Sequence, residues 1–273
     1  MGLSSNILWH QTKKEGFEGI INSMNLQFSY SKETMLYNKP IAIPMISMCD
    51  LPLSDIGEFL GKYGDFTIGF KRSWGVKNGF NPVWYCEPSS AIQKVLSHND
   101  KEGLKELYAY IKPVEGELET HGYTYRNYRF YDEHEVRLVP TEDEMKKNGL
   151  KWILSEEEYT DYKAKHKGSP NTSLSIPFEI KDIRYLIVRS ELHVQKYRDL
   201  FKNIPIFTQR QVKEDIIGTN HSFRYKTFDA NSVLYQTLLH SYDNDPKRLE
   251  KQIAEKLAIL GTFPLPKENN DLP

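Results

Sequence analysis

Three short pieces of the chain carry residue types that could do chemistry. His10-Gln11-Thr12 stands at the exit of a strand. There Thr12 is equally explained as a helix cap, and a lone histidine is more often a satisfied structural group than a catalyst. The second piece is the run Phe130 to Pro140, with Asp132, Glu133, His134, Glu135 and Arg137 inside it. In a strand alternate side chains share a face, so Glu133, Glu135 and Arg137 point one way, and Asp132, His134, Val136 and Leu138 the other. Val136 and Leu138 belong in a core, so the Glu135/Arg137 face must look toward solvent or into a cleft. A carboxylate beside Arg137 stays ionised at neutral pH. On a rigid strand it can bond a ribose hydroxyl and stabilise an oxocarbenium-like centre. The plainer alternative is an exposed cross-strand ion pair worth little energetically. The third piece holds Ser47, within Pro44 to Ser54. Its residues read as strand and capped helix and give no reaction by themselves.

The elements that must hold these residues follow from apolar spacing. Ile7–His10 reads as a short strand. Thr12 and Glu15 have the form of a capping box, hydroxyl and carboxylate each satisfying an orphan amide. Phe17, Ile20, Ile21 and Met24 follow at the spacing of a buried helix face. Ile41–Cys49 is an apolar strand in which Pro44 suggests an edge or a bulge. Asp50 is set to cap a helix striped by Leu53, Ile56 and Leu60 and ended near Gly61 and Gly64. Phe66, Ile68 and Phe70 alternate as a strand. Trp74 to Asn78 reads as a short helix, Pro82–Cys86 as a strand, and Pro88–Leu96 and Lys101–Ile111 as helices. Val114–Val139 is extended, and Lys146–Ser169 is a charged surface excursion. Strands at Ile183–Val188 and Ile204–Phe207 flank a helix over Leu192–Phe201; two more helices cover Ser232–Tyr242 and Pro246–Leu260. Strands mix with helices without a βαβ period. That predicts an α+β fold, a mixed and mainly antiparallel sheet with flanking helices, plus a helical C-terminal part. The expected division is a core over 1–190 and a mostly helical extension over 191–273 packed on it.

Composition removes several classes of function. Lys plus Arg is 36 against 37 Asp plus Glu, a net charge of −1, so no global field draws the chain to nucleic acid or membrane. Locally, Lys181–Lys226 carries ten basic against five acidic residues. That is a solvated surface on the plain reading and a nucleic-acid contact on the sharper one. Two cysteines, Cys49 and Cys86, make neither a disulfide framework nor a zinc site. Both lie in apolar strands, where a buried inert thiol is the default. No metal is implied. No apolar run approaches the roughly 20 residues that span a bilayer, and no signal-peptide pattern is apparent, so the cytoplasm is the expected compartment. Phosphate-binding glycine loops, the G-x-S-x-G elbow and H-E-x-x-H are absent.

The order of these segments resembles the AbiGi family of abortive phage-resistance proteins. The matching pieces are His10-x-Thr12 with its following helix, PMISMCDLPLSDI at 44–56, KYGDFTIGFKRSWGVKNGFNPVWY at 62–85 and FYDEHEVRLVP at 130–140. The resemblance covers about the first half of the chain. It implies bacterial defence against phage and a cognate antitoxin or toxin partner. More distantly, a strand-end H-x-T, a helix and a later strand carrying a glutamate are similar to the DarT-like ADP-ribosyltransferase fold. That likeness implies NAD as substrate and no metal. His10 and Thr12 would contact the NAD, Ser47 would occupy the middle position, Glu135 would be catalytic, and Arg137 would hold Glu135 or a phosphate. Tyr30, Tyr37 or Trp74 would supply a stacking ring, and the acceptor would be a nucleic acid or a protein. Two alternatives stand beside it: a non-enzymatic antitoxin or regulatory partner, and an NAD hydrolase whose acceptor is water.

Overall fold

A computed structural model describes residues 6–33, 41–53, 55–87, 90–92, 94, 105–120, 123–213 and 247. The chain divides into two compact units, Met1–Arg210 and Gln211–Pro273. The first unit opens with β1 (Ile7–Thr12), α1 (Lys14–Ser23), β2 (Asn25–Glu33), β3 (Ile41–Cys49), β4 (Phe66–Lys71) and α2 (Arg72–Lys77). Short strands β5 (Asn81–Pro82) and β6 (Trp84–Cys86), helix α3 (Lys105–Tyr108) and strand β7 (Ile111–Pro113) follow. A hairpin, β8 (Glu115–Thr120) and β9 (Tyr123–Arg129), leads through a 3-10 turn at Phe130–Glu133 into β10 (Glu135–Leu138). The unit closes with α4 (Glu142–Lys147), β11 (Leu154–Ser155), α5 (Glu156–Lys165), β12 (Asn171–Pro177), β13 (Ile183–Val188), α6 (Glu191–Arg198) and β14 (Ile206–Thr208). Among the described residues ten strands join in one sheet, along the path β12-β2-β3-β1-β4-β13-β14 with β10, β11 and β5 branching from it. Every pairing in it is antiparallel except β13 with β14. The fold is α+β with a mainly antiparallel sheet.

Strand β3 is the hub, and its register explains the sheet's shape. Backbone groups of an antiparallel strand point to its two edges alternately. The Glu135 carbonyl accepts from Val83 N–H and the Glu135 N–H donates to Tyr85, so Glu135 faces away from β3. Val136 and Leu138 therefore face it, opposite Met48 and Ile46. Tyr30 N–H donates to the Pro170 carbonyl, so Ser29 and Ser31 face β3, opposite Met45 and Ile43. The odd-numbered residues of β3 thus serve one edge, which takes β2 up to Met45 and β1 at Cys49. The even-numbered residues serve the other, which takes β11 at Ala42 and β10 at Ile46 and Met48. Pro44 sits between those two partners, where its missing N–H leaves nothing unpaired. The proline expected at an edge or bulge is instead tolerated inside a central strand.

One face of this sheet carries the main apolar cluster: Leu8, Ile46, Met48, Phe66, Ile68, Phe70 and Val136, covered by Phe17 and Ile21 of α1. Several sequence expectations change. The N-cap of α1 is Lys13 and no side chain caps the helix, so the Thr12/Glu15 box does not form. The helix expected after Asp50 is only a 3-10 turn, Ile56–Glu58; Asp50 spends its side chain on Arg72, at 3.2 Å, and its N–H on the His134 carbonyl. The charged stretch 146–169 does lie on the surface, with no buried residue in α5; Ser155 and Glu158 form a reciprocal cap at the start of that helix and Leu154 pairs with Ala42. The helices expected over 88–96, 232–242 and 246–260 lie wholly or largely outside the described residues, as does Tyr37.

Candidate functional site

The site is built where β1 and β2 part. Had β1 continued its pairing with β3, Gln11 would stand opposite Ser47, but pairing stops at Trp9 with Cys49. On the other side β2 stops at Ser29 with Met45. Ser47 therefore turns its N–H and carbonyl into the split, with no described strand opposite. The His10 ring fills part of the gap: its Nδ1 lies 3.2 Å from the Ser47 carbonyl. A carbonyl only accepts, so Nδ1 carries the proton. Burial lowers the His10 pKa against the opposing effect of that bond, so the ring is neutral at pH 7. Thr12 ends β1 against α1: a Cβ on Gly16 would come within 2.2 Å of its Oγ1, and a Cβ on Gly64 within 2.1 Å of its backbone.

The split opens into a cleft of about 1950 Å³. That exceeds the roughly 300–1,000 Å³ of small-molecule pockets and leaves room for an extended ligand. At one end lies a buried ionic network. Arg137 Nε reaches Glu135 Oε1 at 2.7 Å, and Nη2 reaches Glu135 Oε2 at 3.1 Å and Glu33 Oε1 at 2.7 Å. Its Nη1 donates to the Ala109 carbonyl at 2.6 Å. Lys112 Nζ bridges Glu135, at 2.6 Å, to Glu133, at 2.9 Å. Glu133 also accepts from Tyr63 and Tyr128. Arg137 is 1% exposed and Glu135 5%, so the pair is no surface salt bridge. Burial alone would raise the Glu135 carboxyl, but Arg137 and Lys112 together outweigh it and hold the group well below the usual carboxylate range. Glu33 behaves oppositely. Burial raises it, Arg137 only partly offsets that, and Glu135 adds to the rise. The Cys49 thiol is pushed well up by burial and by the neighbouring Glu133 and Glu135, which makes it inert.

All five residues singled out in the sequence, His10, Thr12, Ser47, Glu135 and Arg137, line this cleft. They do not share a face of the sheet. Directly paired residues project to the same side. Trp9, Cys49 and Glu135 are in register, as are Ser47 and Arg137, so Glu135, Arg137 and Ser47 share one face. His10 pairs with Ile68 and Thr12 with Phe66, which puts both on the opposite, apolar-core face. The two groups meet only through the split. Of the proposed stacking rings, Trp74 is buried against Phe70, and Tyr30 is buried with its hydroxyl on the Lys151 carbonyl. Sequence reasoning missed Glu33, Lys112, Tyr63 and Tyr128. They come from four separate elements and share no spacing that could have marked them. Glu133 does join Glu135, though from the 3-10 turn rather than the strand: His134 takes a left-handed φ of 45° between them.

Among the described residues no group of three or more His, Cys, Asp or Glu is arranged to hold a metal ion, and no helix is long and apolar enough to cross a membrane. The fold and cleft define an α+β protein with a charged groove at a split sheet. Residues 20–189 match a family described as "Putative abortive phage resistance protein AbiGi, antitoxin", and the chain belongs to that family. A curated relative, the abortive phage resistance protein AbiGi of Lactococcus lactis subsp. cremoris, is 29% identical over 193 residues, covering 59% of this chain and 77% of the relative. No solved structure matches the chain.

Proposed function

We propose that this chain acts in abortive phage resistance as the antitoxin-type partner of a toxin, by binding protein rather than by turning over NAD. The observation that carries this reading is the state of Glu135. Both of its oxygens are held by buried cations, and the H-x-T pair lies on the other face of the sheet. A carboxylate already neutralised twice has little charge left for an oxocarbenium-like ribose. The word antitoxin in the family description points the same way. The test is co-expression with the reading frame beside it. The partner protein co-purifies, and His10→Asn, which keeps a donor for the Ser47 carbonyl, still protects cells. Transfer of label from NAD to DNA, RNA or protein, or loss of NAD, would overturn the reading if a His10 variant of unchanged melting temperature abolished it.

A second reading keeps one observation in its favour: the five candidate residues line a single cleft. In it the chain is an NAD-dependent ADP-ribosyltransferase. The bond between ribose and nicotinamide breaks, nicotinamide leaves with the electron pair, and an acceptor oxygen or nitrogen bonds the ribose carbon and loses its proton. His10, Thr12 and Ser47 would orient the NAD, and Arg137 would hold Glu135. The basic stretch from Lys181 would offer a nucleic-acid acceptor its contact; water as acceptor makes the same site an NAD hydrolase. The expected cytoplasmic location belongs with either reading.

A further inference from the structure

We infer that the split between β1 and β2 binds an extended, basic peptide segment of a protein partner. The inference rests on the antitoxin reading and adds the chemistry of the partner. Three observations carry it, the last two of them overlapping in Glu33. The first is the peptide group of Ser47, which faces a gap in an otherwise paired strand. Its carbonyl accepts from His10, while its N–H faces the gap with no described strand opposite. A peptide carbonyl entering there completes the ladder, as in strand addition to a sheet.

The second is Glu33. Arg137 engages its Oε1, and Oε2 has no partner among the described residues, although the side chain is only 16% exposed. The buried network holds three carboxylates, Glu33, Glu133 and Glu135, against two cations, Lys112 and Arg137. Glu133 and Glu135 are fully engaged, so the uncompensated charge falls on Glu33. A buried carboxylate short of a counter-charge is costly until a cation arrives. The third is the lining as a whole, in which seven glutamates face five lysines and arginines, a net of −2. Glu117 and Glu119 of the β8–β9 hairpin belong to that acidic surplus. Such a lining repels phosphate, whether of nucleic acid or of a dinucleotide, and attracts lysine and arginine.

The spacing fits one segment. Glu33 stands opposite Ile41, six residues from Ser47, which is about 20 Å of strand. The Arg137 side chain spans part of that distance, rising opposite Ser47 and ending on Glu33. Beyond Ser47 that edge of β3 is taken by β2 from Met45 to Ile41, so a partner segment of about six residues bonds Ser47 through its backbone, leaves the edge there and crosses the face that Ser47 and Glu33 share to bring a lysine or arginine to Glu33.

The experiment uses the full chain and two fluorescein-labelled probes, the peptides (Thr-Lys)5 and (Thr-Glu)5, followed by fluorescence anisotropy. The lysine peptide binds and the glutamate peptide does not. Glu33→Gln keeps an acceptor for Arg137 but removes the charge, and weakens binding about tenfold, the range of a partly buried charge contact. Ser47→Pro removes the N–H, as Pro44 already does three residues away on the other edge of the strand, and weakens it further. Should Ser47→Pro not fold, Glu33→Gln still decides. Binding of both peptides alike, binding of neither, or Glu33→Gln indistinguishable from wild type overturns the inference. The two proposals fail separately. A toxin that co-purifies undiminished with Glu33→Gln leaves the antitoxin reading standing without this site. Lysine-peptide binding that responds to Glu33→Gln, with no toxin retained, leaves the site standing without that reading.

Discussion

Arg137 grips Glu135 with two nitrogens, Nε on Oε1 at 2.7 Å and Nη2 on Oε2 at 3.1 Å, in a fork closed from the other side by Lys112. The pair is buried, and Glu135 is the carboxylate that both cations share; without its charge Arg137 keeps only Glu33 and Lys112 only Glu133. Glu135→Gln costs about 3–5 kcal/mol, the range for breaking a buried ion pair. Against a typical total of about 5–15 kcal/mol this is a large fraction. Urea unfolding checks it: the midpoint falls with the slope unchanged. A Glu135→Gln protein of wild-type stability that loses phage protection would instead assign the carboxylate to chemistry.

His10 couples the split to pH. Burial lowers its pKa, against the opposing bond to Ser47, so the unfolded chain takes a proton on this ring at higher pH than the folded one. Stability therefore rises with pH between the lowered folded value and the unfolded value of about 6.5, and is lost as pH falls through that window. The melting temperature drops from pH 7 toward pH 5. In His10→Asn the donor to Ser47 remains and no titrating group does, so this part of the drop disappears.

How much of this was legible in the sequence depends on how local the cause is. Strand β4 and helix α1 followed from the spacing of Phe66, Ile68 and Phe70 and of Phe17 and Ile21, because a single buried face sets a period. Pro44 misled, since its tolerance depends on which strands lie beside β3 at residue 44 and not on its neighbours in the chain. The pairing of Glu135 with Arg137 was visible as an i, i+2 pair on a strand, but its burial was not. Burial comes from Glu33, Lys112 and the Ala109 carbonyl, up to 104 residues away. The separation of His10 and Thr12 from Glu135 onto opposite faces is likewise a property of register, which no stretch of sequence encodes alone.

Lys112 makes a test distinct from that of Glu135, because it holds two carboxylates at once. Lys112→Met keeps the stem over the Phe130 ring and removes the charge, which now lies 4.5 Å from that ring's centre. Part of the depression of the Glu135 pKa is thereby lost. A depressed carboxylate contributes stability above its unfolded value, about 4.3, that fades as pH falls through the folded one. The variant is therefore less stable than wild type at pH 7, and because the two proteins differ only in their folded values, the gap holds until pH falls below the variant's folded value and narrows from there toward the lower wild-type one. Melting temperatures of both proteins from pH 7 to about pH 2 show the narrowing at the acid end; a constant gap would mean that Lys112 acts only by packing.

Gly64 gives the last test, since it fixes the end of β1 at the mouth of the split. Its φ is +150°, and a Cβ there would stand 2.1 Å from the carbonyl carbon and oxygen of Thr12 and 2.7 Å from Lys13 N. Those atoms are backbone, tied to Phe66 by the β1–β4 register, and cannot swing aside. Gly61 is the matched control: its φ is +92°, but a Cβ there meets nothing within 4 Å. Gly61→Ala pays only for the backbone conformation, about 1–2 kcal/mol. Gly64→Ala pays that and the overpacking, typically about 1–3 kcal/mol more. The difference between the two urea midpoints measures how firmly Thr12 is held. Equal midpoints would mean that the end of β1 yields to the added methyl, and that the H-x-T segment is not fixed by its neighbours.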